Sequence, residues 1–151
     1  MSQITTLGSK THGPGSYYLI TSILATEDVT VYSAIDGKDA VLKTIAERPD
    51  LILLDVRMPK LNGLTVCKAI RGGADTLNIP VIMVTTLTAT GHVEEGMEAG
   101  ADDFLGKPFQ AKELLIRVRA MFKTAQVSGR VERLEQYILA VHEMRAHAPV
   151  V

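Results

Sequence analysis

The sequence predicts an α/β domain built on a doubly wound parallel sheet, and three observations support that prediction. Residues 51–54 are four consecutive apolar residues that end at Asp55, and residues 81–84 form a second such run. Continuous apolar runs of this length are typical of strands covered on both faces, as in a parallel sheet. Stretches of helical periodicity separate the strand candidates, and no two of these candidates are joined by a hairpin signal.

Strands and helices alternate from the start of the chain to about residue 123. Apolar residues three or four apart mark the helices, and short apolar or β-branched runs bounded by proline or glycine mark the strands. Residues 1–13 are polar and glycine-dotted, so we expect at best a thin edge strand there. The predicted elements are a strand at 4–7, a helix from 14 to about 26, a strand at 29–32, a helix over 40–45 that stops before 49, the strand ending at Asp55, a helix over 64–70 closed by Gly72 and Gly73, a strand at 81–86, a helix over 91–99, a strand at 103–106 and a helix over 114–122.

Beyond Lys123 the pattern changes to a heptad-like series. Its apolar residues recur at spacings of four, three, four and three, at Val127, Val131, Leu134, Ile138 and Val141. Two structures fit this pattern: an amphipathic helix docked on its own domain, or a helix that forms a coiled-coil dimer or leads to an output module. We therefore divide the chain into a domain of residues 1–123 and a C-terminal amphipathic helix within 124–151, with 127–145 as a candidate homodimer segment.

The composition is that of an ordinary globular protein and narrows the choice of partners. The chain has 151 residues, with 46% hydrophobic and 22% charged residues and a formal net charge of −1. A nearly neutral chain offers no electrostatic basis for binding nucleic acid directly. The single Cys67 excludes an internal disulfide, and no apolar run approaches the length of a membrane span. We therefore expect a cytoplasmic domain that binds neither nucleic acid nor a membrane.

Three polar side chains fall at the predicted carboxyl ends of strands: Asp55, Thr85 and Lys107. Each is ordinary by itself, because an aspartate after a strand is often only a turn former or a helix cap. In a doubly wound sheet, however, the carboxyl ends of the strands line one crevice, where ligands bind. A carboxylate nucleophile, a hydroxyl group and an ammonium group that converge there fit a phosphoryl-transfer site.

These residues lie in motifs that resemble the receiver domains of two-component response regulators. The matching pieces are residues 53–59 (Leu-Leu-Asp-Val-Arg-Met-Pro), 62–63 (Asn-Gly), 84–85 (Val-Thr), 99–101 (Ala-Gly-Ala) and 107–109 (Lys-Pro-Phe). The resemblance extends from residue 14 to about residue 123. The sequence of residues 55–67 is most similar to the same segment of receivers fused to diguanylate cyclase outputs. This similarity is an analogy rather than evidence of such an output.

The resemblance implies a five-stranded (βα)₅ flavodoxin-like receiver fold, here with a C-terminal helical extension. It implies Asp55 as phospho-acceptor, Thr85 as switch hydroxyl, Lys107 as phosphate-binding lysine and Phe104 as the rotating aromatic residue. A cis bond between Lys107 and Pro108 is expected. The implied partners are a histidine kinase or phosphotransfer protein and an output domain or partner protein that contacts the Phe104 face. Any catalysis would be limited to the domain's own phosphoryl transfer and dephosphorylation.

The sequence departs from the family at the metal site. Receivers carry two adjacent acids at the end of the first strand, which help to hold Mg²⁺. Counting back from Pro14 places Thr11 and His12 at those positions, and no aspartate or glutamate precedes Glu27. Mg²⁺ prefers carboxylate and water oxygens, so Thr11 and His12 are poor substitutes for the acids.

Asp55 and the main-chain carbonyl group of Arg57 would then remain as the ligands of a weak or absent Mg²⁺ site. Without the metal, the attacking carboxylate and the phosphoryl group repel each other unscreened. Arg57, His12 and Lys107 are candidates to supply positive charge, or to form a standing salt bridge with Asp55. Two hypotheses therefore remain: a phospho-accepting receiver, and a phosphorylation-independent pseudo-receiver that acts as an interaction or dimerisation module.

Overall fold

The computed structural model describes residues 2–7, 15–56, 62–85 and 91–147. Strands and helices alternate up to α5, as the periodicity predicts, and one further helix follows. The strands are β1 Ser2–Leu7, β2 Val29–Ala34, β3 Leu51–Asp55, β4 Val81–Thr85 and β5 Asp103–Gly106. The helices are α1 Gly15–Leu24, α2 Gly37–Glu47, α3 Gly63–Gly72, α4 Gly91–Ala99, α5 Ala111–Thr124 and α6 Arg130–Ala146.

The five strands form one parallel sheet in the order β2-β1-β3-β4-β5. The doubly wound, flavodoxin-like class predicted from the sequence is therefore confirmed. The expectation of an edge strand near the N-terminus is wrong, because β1 lies between β2 and β3 and pairs with both. A strand's place in the sheet is set by the crossovers on either side of it, and backbone pairing does not require an apolar composition.

Alternate residues of β3 and β4 enter two separate cores on opposite faces of the sheet. On one face Leu51, Leu53 and residues of β4 join buried residues of α1, α5 and α6. On the other face Ile52, Leu54 and the alternate residues of β4 join buried residues of α2 and α3. Because both faces of these strands are covered, their sequences are continuously apolar rather than alternating.

The start of α3 is fixed closely against the end of β3. The Asn62 side chain caps the helix by accepting a hydrogen bond from the amide of Thr65 at 2.9 Å. The amide of Gly63 donates to the carbonyl oxygen of Val56 at 2.8 Å. A Cβ atom at Gly63 would overlap the carbonyl oxygen of Asp55 and lie 2.9 Å from the Cα atom of Val56. Glycine at position 63 therefore permits the close approach that places α3 beside the Asp55 strand.

Helix α6 packs on its own domain, mainly against α5. Its buried residues include Tyr137, Ala140 and Val141, which join the hydrophobic core on the α1 and α5 face. Of the two structures that the heptad pattern allows, the docked helix is the one observed. The docked face differs from the predicted seam, however, because Val131 and Ile138 remain 66% and 64% exposed. Among the described residues, no helix is long and apolar enough to cross a membrane.

Candidate functional site

Asp55 and Lys107 form an ion pair at the carboxyl edge of the sheet. Asp55 is the last residue of β3, and Lys107 directly follows β5. The Lys107 Nζ atom lies 2.6 Å from the Asp55 Oδ2 atom, although 52 positions separate the two residues in sequence. Their side chains are 23% and 19% exposed, so the pair is only partly buried and remains accessible from solvent.

Thr85 lies between these two residues in the sheet. It is the last residue of β4 and is 3% exposed, and it pairs in register with Gly106. Its carbonyl oxygen accepts a hydrogen bond from the amide of Lys107 at 2.8 Å. The Lys107–Pro108 peptide bond is cis, which confirms that prediction. The structure therefore brings Asp55, Thr85 and Lys107 to one edge of three neighbouring strands, as the sequence predicts.

The described residues do not by themselves provide a donor set that fits Mg²⁺. They contain no cluster of three or more histidine, cysteine or acidic side chains that could hold a metal ion. Asp55 contributes one carboxylate group, and one of its oxygens already contacts the Lys107 ammonium group. Mg²⁺ requires several oxygen ligands in near-octahedral geometry. The predicted positions Thr11 and His12 and the carbonyl group of Arg57 lie outside the described residues.

Phe104 lies on β5 and packs against α4. A Cβ atom at Gly96 would come within 2.5 Å of the Cε1 atom of the Phe104 ring, so the absence of a side chain on Gly96 makes room for the ring. The ring also lines a cleft of about 650 Å³ over β5, together with Met97 of α4 and Ile138 of α6. The predicted aromatic residue therefore packs against α4 and faces a cleft that α6 also lines.

The sequence analysis missed two acidic residues that hold this face together. The Asp103 carboxylate accepts hydrogen bonds from Tyr137 of α6 and Arg117 of α5. Burial, reinforced by the negative charge of Asp103, raises the pKa of Tyr137, so its phenol group stays protonated and donates. The only signal in the sequence was a pair of consecutive acids at the predicted strand of residues 103–106, and it does not indicate their partners.

Asp102 is the second of these acids and is more deeply buried. Its side chain is 1% exposed and lies 2.6 Å from Arg71 of α3 and 3.1 Å from Arg130 of α6. Its Oδ2 atom also accepts a hydrogen bond from the amide of Val81 at 2.8 Å. A buried carboxylate needs such partners because unpaired charge is costly inside a protein. Asp102 therefore ties α3, β4 and α6 together.

Comparison with known protein families identifies the fold and its class of function. Residues 14–119 match the family model described as the response regulator receiver domain. The chain belongs to this family. Receiver domains carry out phosphorylation-dependent signalling in two-component systems, so the predicted family, fold and class of function are confirmed. The individual roles assigned to Asp55, Thr85, Lys107 and Phe104 stay predictions.

The similar proteins include three regulators from different bacteria. The chain is 42% identical over 93 residues to the DNA-binding dual master transcriptional regulator RpaA of Synechocystis sp., covering 62% of this chain and 39% of RpaA. It is 39% identical over 105 residues to the response regulator MprA of Mycobacterium tuberculosis, covering 70% of this chain and 45% of MprA. It is also 37% identical over 117 residues to the response regulator PleD of Caulobacter vibrioides, covering 78% of this chain and 26% of PleD. The chain thus spans less than half the length of each of these relatives.

Solved receiver structures share the architecture. One is the receiver domain of the sensor histidine kinase PA1611 from Pseudomonas aeruginosa, with a magnesium ion in its active-site cleft. It aligns with a TM-score of 0.72 at 28% identity, covering 83% of this chain and 98% of that domain. A putative response regulator from Chloroflexus aurantiacus aligns with a TM-score of 0.74 at 27% identity, covering 82% of this chain and 99% of that protein.

Proposed function

We propose that this chain is a receiver that accepts a phosphoryl group on Asp55. The observation that supports this most directly is the 2.6 Å contact between Asp55 and Lys107 at the carboxyl edge of the sheet. The contact sets an ammonium group beside the one carboxylate that the family resemblance assigns as the acceptor. A fixed positive charge beside a carboxylate also binds the oxygens of an incoming phosphoryl group.

In the proposed step, an Asp55 carboxylate oxygen attacks the phosphorus atom of a phosphohistidine donor. The new P–O bond of the acyl phosphate forms as the P–N bond of the donor breaks, and the leaving imidazole nitrogen takes up a proton. Lys107 moves from the Asp55 carboxylate to a phosphoryl oxygen, and the Thr85 hydroxyl group donates to another. Hydrolysis of the acyl phosphate resets the domain, and no further enzymatic activity is proposed.

The switch itself is proposed to run from Thr85 to Phe104. Recruitment of the Thr85 hydroxyl group to the phosphoryl group draws β4 inward, and the Phe104 ring on neighbouring β5 follows. An output domain or partner protein then reads the Phe104 face, while a histidine kinase or phosphotransfer protein supplies the phosphoryl group. We propose that the protein is cytoplasmic, that residues 1–123 form the receiver and that residues 124–151 form its helical extension. We also propose that the chain forms a homodimer through residues 127–145.

The metal requirement of the reaction is expected to be unusual. The proposed Mg²⁺ ligands are Asp55 and the carbonyl group of Arg57, which makes a weak site at best. We therefore expect phosphorylation to be slow and to gain little from added Mg²⁺. Repulsion between the anionic donor and the Asp55 carboxylate would be offset mainly by Lys107.

Intact-protein mass spectrometry tests the acceptor directly. The protein is incubated with phosphoramidate or acetyl phosphate, with and without Mg²⁺. We expect an alkali-labile adduct with the mass of one phosphoryl group, which disappears in Asp55→Asn. Asp75→Asn is the matched control, because Asp75 is an exposed aspartate that forms a surface ion pair with Arg48. An adduct that persists in Asp55→Asn would refute the assignment of the acceptor.

The alternative function is a pseudo-receiver that works without phosphorylation. Two observations favour it: no acidic residue precedes Glu27, and Lys107 already neutralises Asp55. A standing ion pair would hold one fixed conformation, and the domain would act as an interaction or dimerisation module. The absence of any adduct with both donors and with a histidine kinase, in protein shown to be folded, would favour this alternative.

A further inference from the structure

One carboxylate connects α6 to the backbone of the predicted aromatic switch residue. The Asp103 Oδ1 atom accepts a hydrogen bond from the amide of Phe104 at 2.7 Å. The Oδ2 atom of the same carboxylate accepts hydrogen bonds from the Tyr137 hydroxyl group of α6 and from Arg117 of α5. The torsion that turns a carboxylate has a broad energy minimum, so its hydrogen-bond partners decide its orientation. Tyr137 therefore helps to orient the group that binds the Phe104 amide.

Strand β5 lies at the edge of the sheet, and α6 is close to side chains on both of its faces. Successive side chains of a strand point to opposite faces of the sheet. Asp103 meets Tyr137, which is 3% exposed and belongs to the core on the α1 and α5 face. The Phe104 ring packs at Gly96 of α4 and lines the cleft that Ile138 of α6 also lines. A movement of β5 or of the Phe104 ring therefore changes the surface on which α6 is docked.

Two ion pairs hold the ends of α6, and neither of them involves Asp103. Arg130 in the first turn lies 3.1 Å from Asp102. Arg145 in the last turn lies 2.7 Å from Glu113 of α5. The contact at Tyr137, in the middle of the helix, is the one that continues to Phe104. The Arg145 pair therefore provides a comparison, because it holds α6 on α5 without contacting β5.

Docking of α6 coexists with the ion pair that the proposed phosphoryl transfer breaks. Lys107 directly follows β5 and lies 2.6 Å from Asp55. At the start of the same strand, Asp103 is held by Tyr137. In the proposed switch Lys107 leaves Asp55 and the Phe104 ring moves, so the contacts of β5 change along its whole length. Because two events that require different positions of one element oppose each other reciprocally, phosphorylation weakens the docking of α6 and docked α6 opposes phosphorylation.

We propose that α6 is an intramolecular inhibitory element of the receiver, and that Asp103 transmits its effect to Phe104. Docked α6 stabilises the position of β5 that accompanies the ion pair of Asp55 with Lys107, and phosphorylation of Asp55 loosens the middle of the helix. Asp103 is a positioning residue, because it acts through Phe104 and does not touch the reacting atoms. The inference rests on the proposed function, since it requires a phosphoryl group on Asp55, but the link between α6 and Phe104 is measurable without a phosphoryl donor.

Selective labelling with ¹⁵N-phenylalanine measures that link by NMR. The chain has three phenylalanines, and the Phe104 amide signal is the one that neither Phe109→Leu nor Phe122→Leu removes. We expect Tyr137→Phe, which adds one signal of its own, to shift the Phe104 signal, because the carboxylate loses a partner that orients it. Arg145→Gln is the matched control, since it loosens only the last turn of α6 and should leave the Phe104 signal in place. An unchanged signal in Tyr137→Phe, or an equal shift in Arg145→Gln, would overturn the proposal.

Incubation with phosphoramidate tests the inhibitory effect on phosphorylation. Intact-protein mass spectrometry follows the fraction of adduct, and hydrogen exchange of residues 130–146 is measured in the same samples. We expect Tyr137→Phe to form the adduct several-fold faster than the unaltered chain, and Arg145→Gln to form it at the rate of the unaltered chain. We also expect the amides of α6 to exchange several-fold faster in the phosphorylated protein than in the same protein without the donor.

The results distinguish failure of this inference from failure of the proposed function. An adduct that forms equally fast in the unaltered chain and in Tyr137→Phe would refute the inhibitory role and leave Asp55 as the acceptor. Exchange of α6 that is unchanged by phosphorylation would do the same. The absence of an adduct in every protein would refute the acceptor and the inhibitory role together.

Discussion

Removing one hydroxyl group, in Tyr137→Phe, should weaken the attachment of α6 to the domain. The Tyr137 side chain is 3% exposed, and its hydroxyl group donates to the Asp103 carboxylate. A hydrogen bond to a charged group contributes about 1.5–3 kcal/mol. Because Arg117 remains on the same carboxylate, Asp103 keeps a charged partner, and we expect a loss near the lower limit. A loss of about 1.5 kcal/mol corresponds to a fall in melting temperature of about 3–6 °C for a chain of this size.

Urea unfolding followed by circular dichroism measures the loss of unfolding free energy. Hydrogen exchange of residues 130–146 shows whether the destabilisation is located in α6. We expect the amides of α6 to exchange faster while those of β3 and β4 change little. Tyr137→Ala should cost more, about 3–5 kcal/mol, because it also removes the buried ring.

A double-mutant cycle with Asp103→Asn then tests whether the hydroxyl group acts through Asp103. Coupled residues give a combined effect that differs from the sum of the single effects. A loss below about 0.5 kcal/mol for Tyr137→Phe, within the range of ordinary surface substitutions, would refute this reasoning. Additive effects in the cycle would refute it equally.

Two further predictions concern the core of the domain and its behaviour at high pH. Gly63→Ala should destabilise the fold by about 1–3 kcal/mol in urea unfolding, because the new Cβ atom would meet backbone atoms of Asp55 and Val56. Gly72→Ala on the same helix should be neutral or stabilising, because no atom lies within 4 Å of its Cβ position. Equal effects of the two substitutions would contradict the argument that Gly63 permits a close approach of α3 to β3. Since the folded state raises the pKa of Tyr137 above its ordinary value near 10, the associated stability is present below about pH 10 and is lost as the pH rises further. Tyr137 should therefore ionise only as the circular dichroism signal is lost, and this step should be missing from a tyrosinate absorbance titration of Tyr137→Phe. A Tyr137-dependent ionisation step in a protein that keeps its native spectrum would contradict the burial of Tyr137.

The central strand before Asp55 and the edge of the sheet that carries the site could be predicted from local sequence patterns. The apolar run before Asp55 predicts a central strand because both of its faces are covered. The adjacent carboxyl ends of β3, β4 and β5 then place Asp55, Thr85 and Lys107 at one edge of the sheet. The position of β1 could not be read in the same way. Its polar composition suggested an edge, whereas its place in the sheet depends on two neighbouring strands that lie far along the chain.

Contacts between distant segments account for the remaining misses. The pairing of Asp103 with Tyr137 spans 34 positions, and that of Asp102 with Arg130 spans 28. Sequence spacing does not indicate contacts between residues this far apart. The partners of Asp102 and Asp103 could therefore not be predicted from the sequence. The heptad pattern predicted a helix correctly but could not show which side would dock, because Tyr137 has its hydrogen-bond partner on β5. The predictions for Thr11, His12 and Arg57 lie outside the described residues.

The place of β1 and α6 in the structure bears on how this domain can be trimmed for biochemical work. The segment recognisable as a receiver, residues 14–119, contains neither of them. A fragment cut to that segment would retain Asp55 and Lys107 but would lack the strand that joins β2 to β3. It would also lose Tyr137, Ala140 and Val141 from the core that β3 and β4 share with α5. The sheet and the hydrophobic core of this domain therefore extend beyond residues 14–119 at both ends.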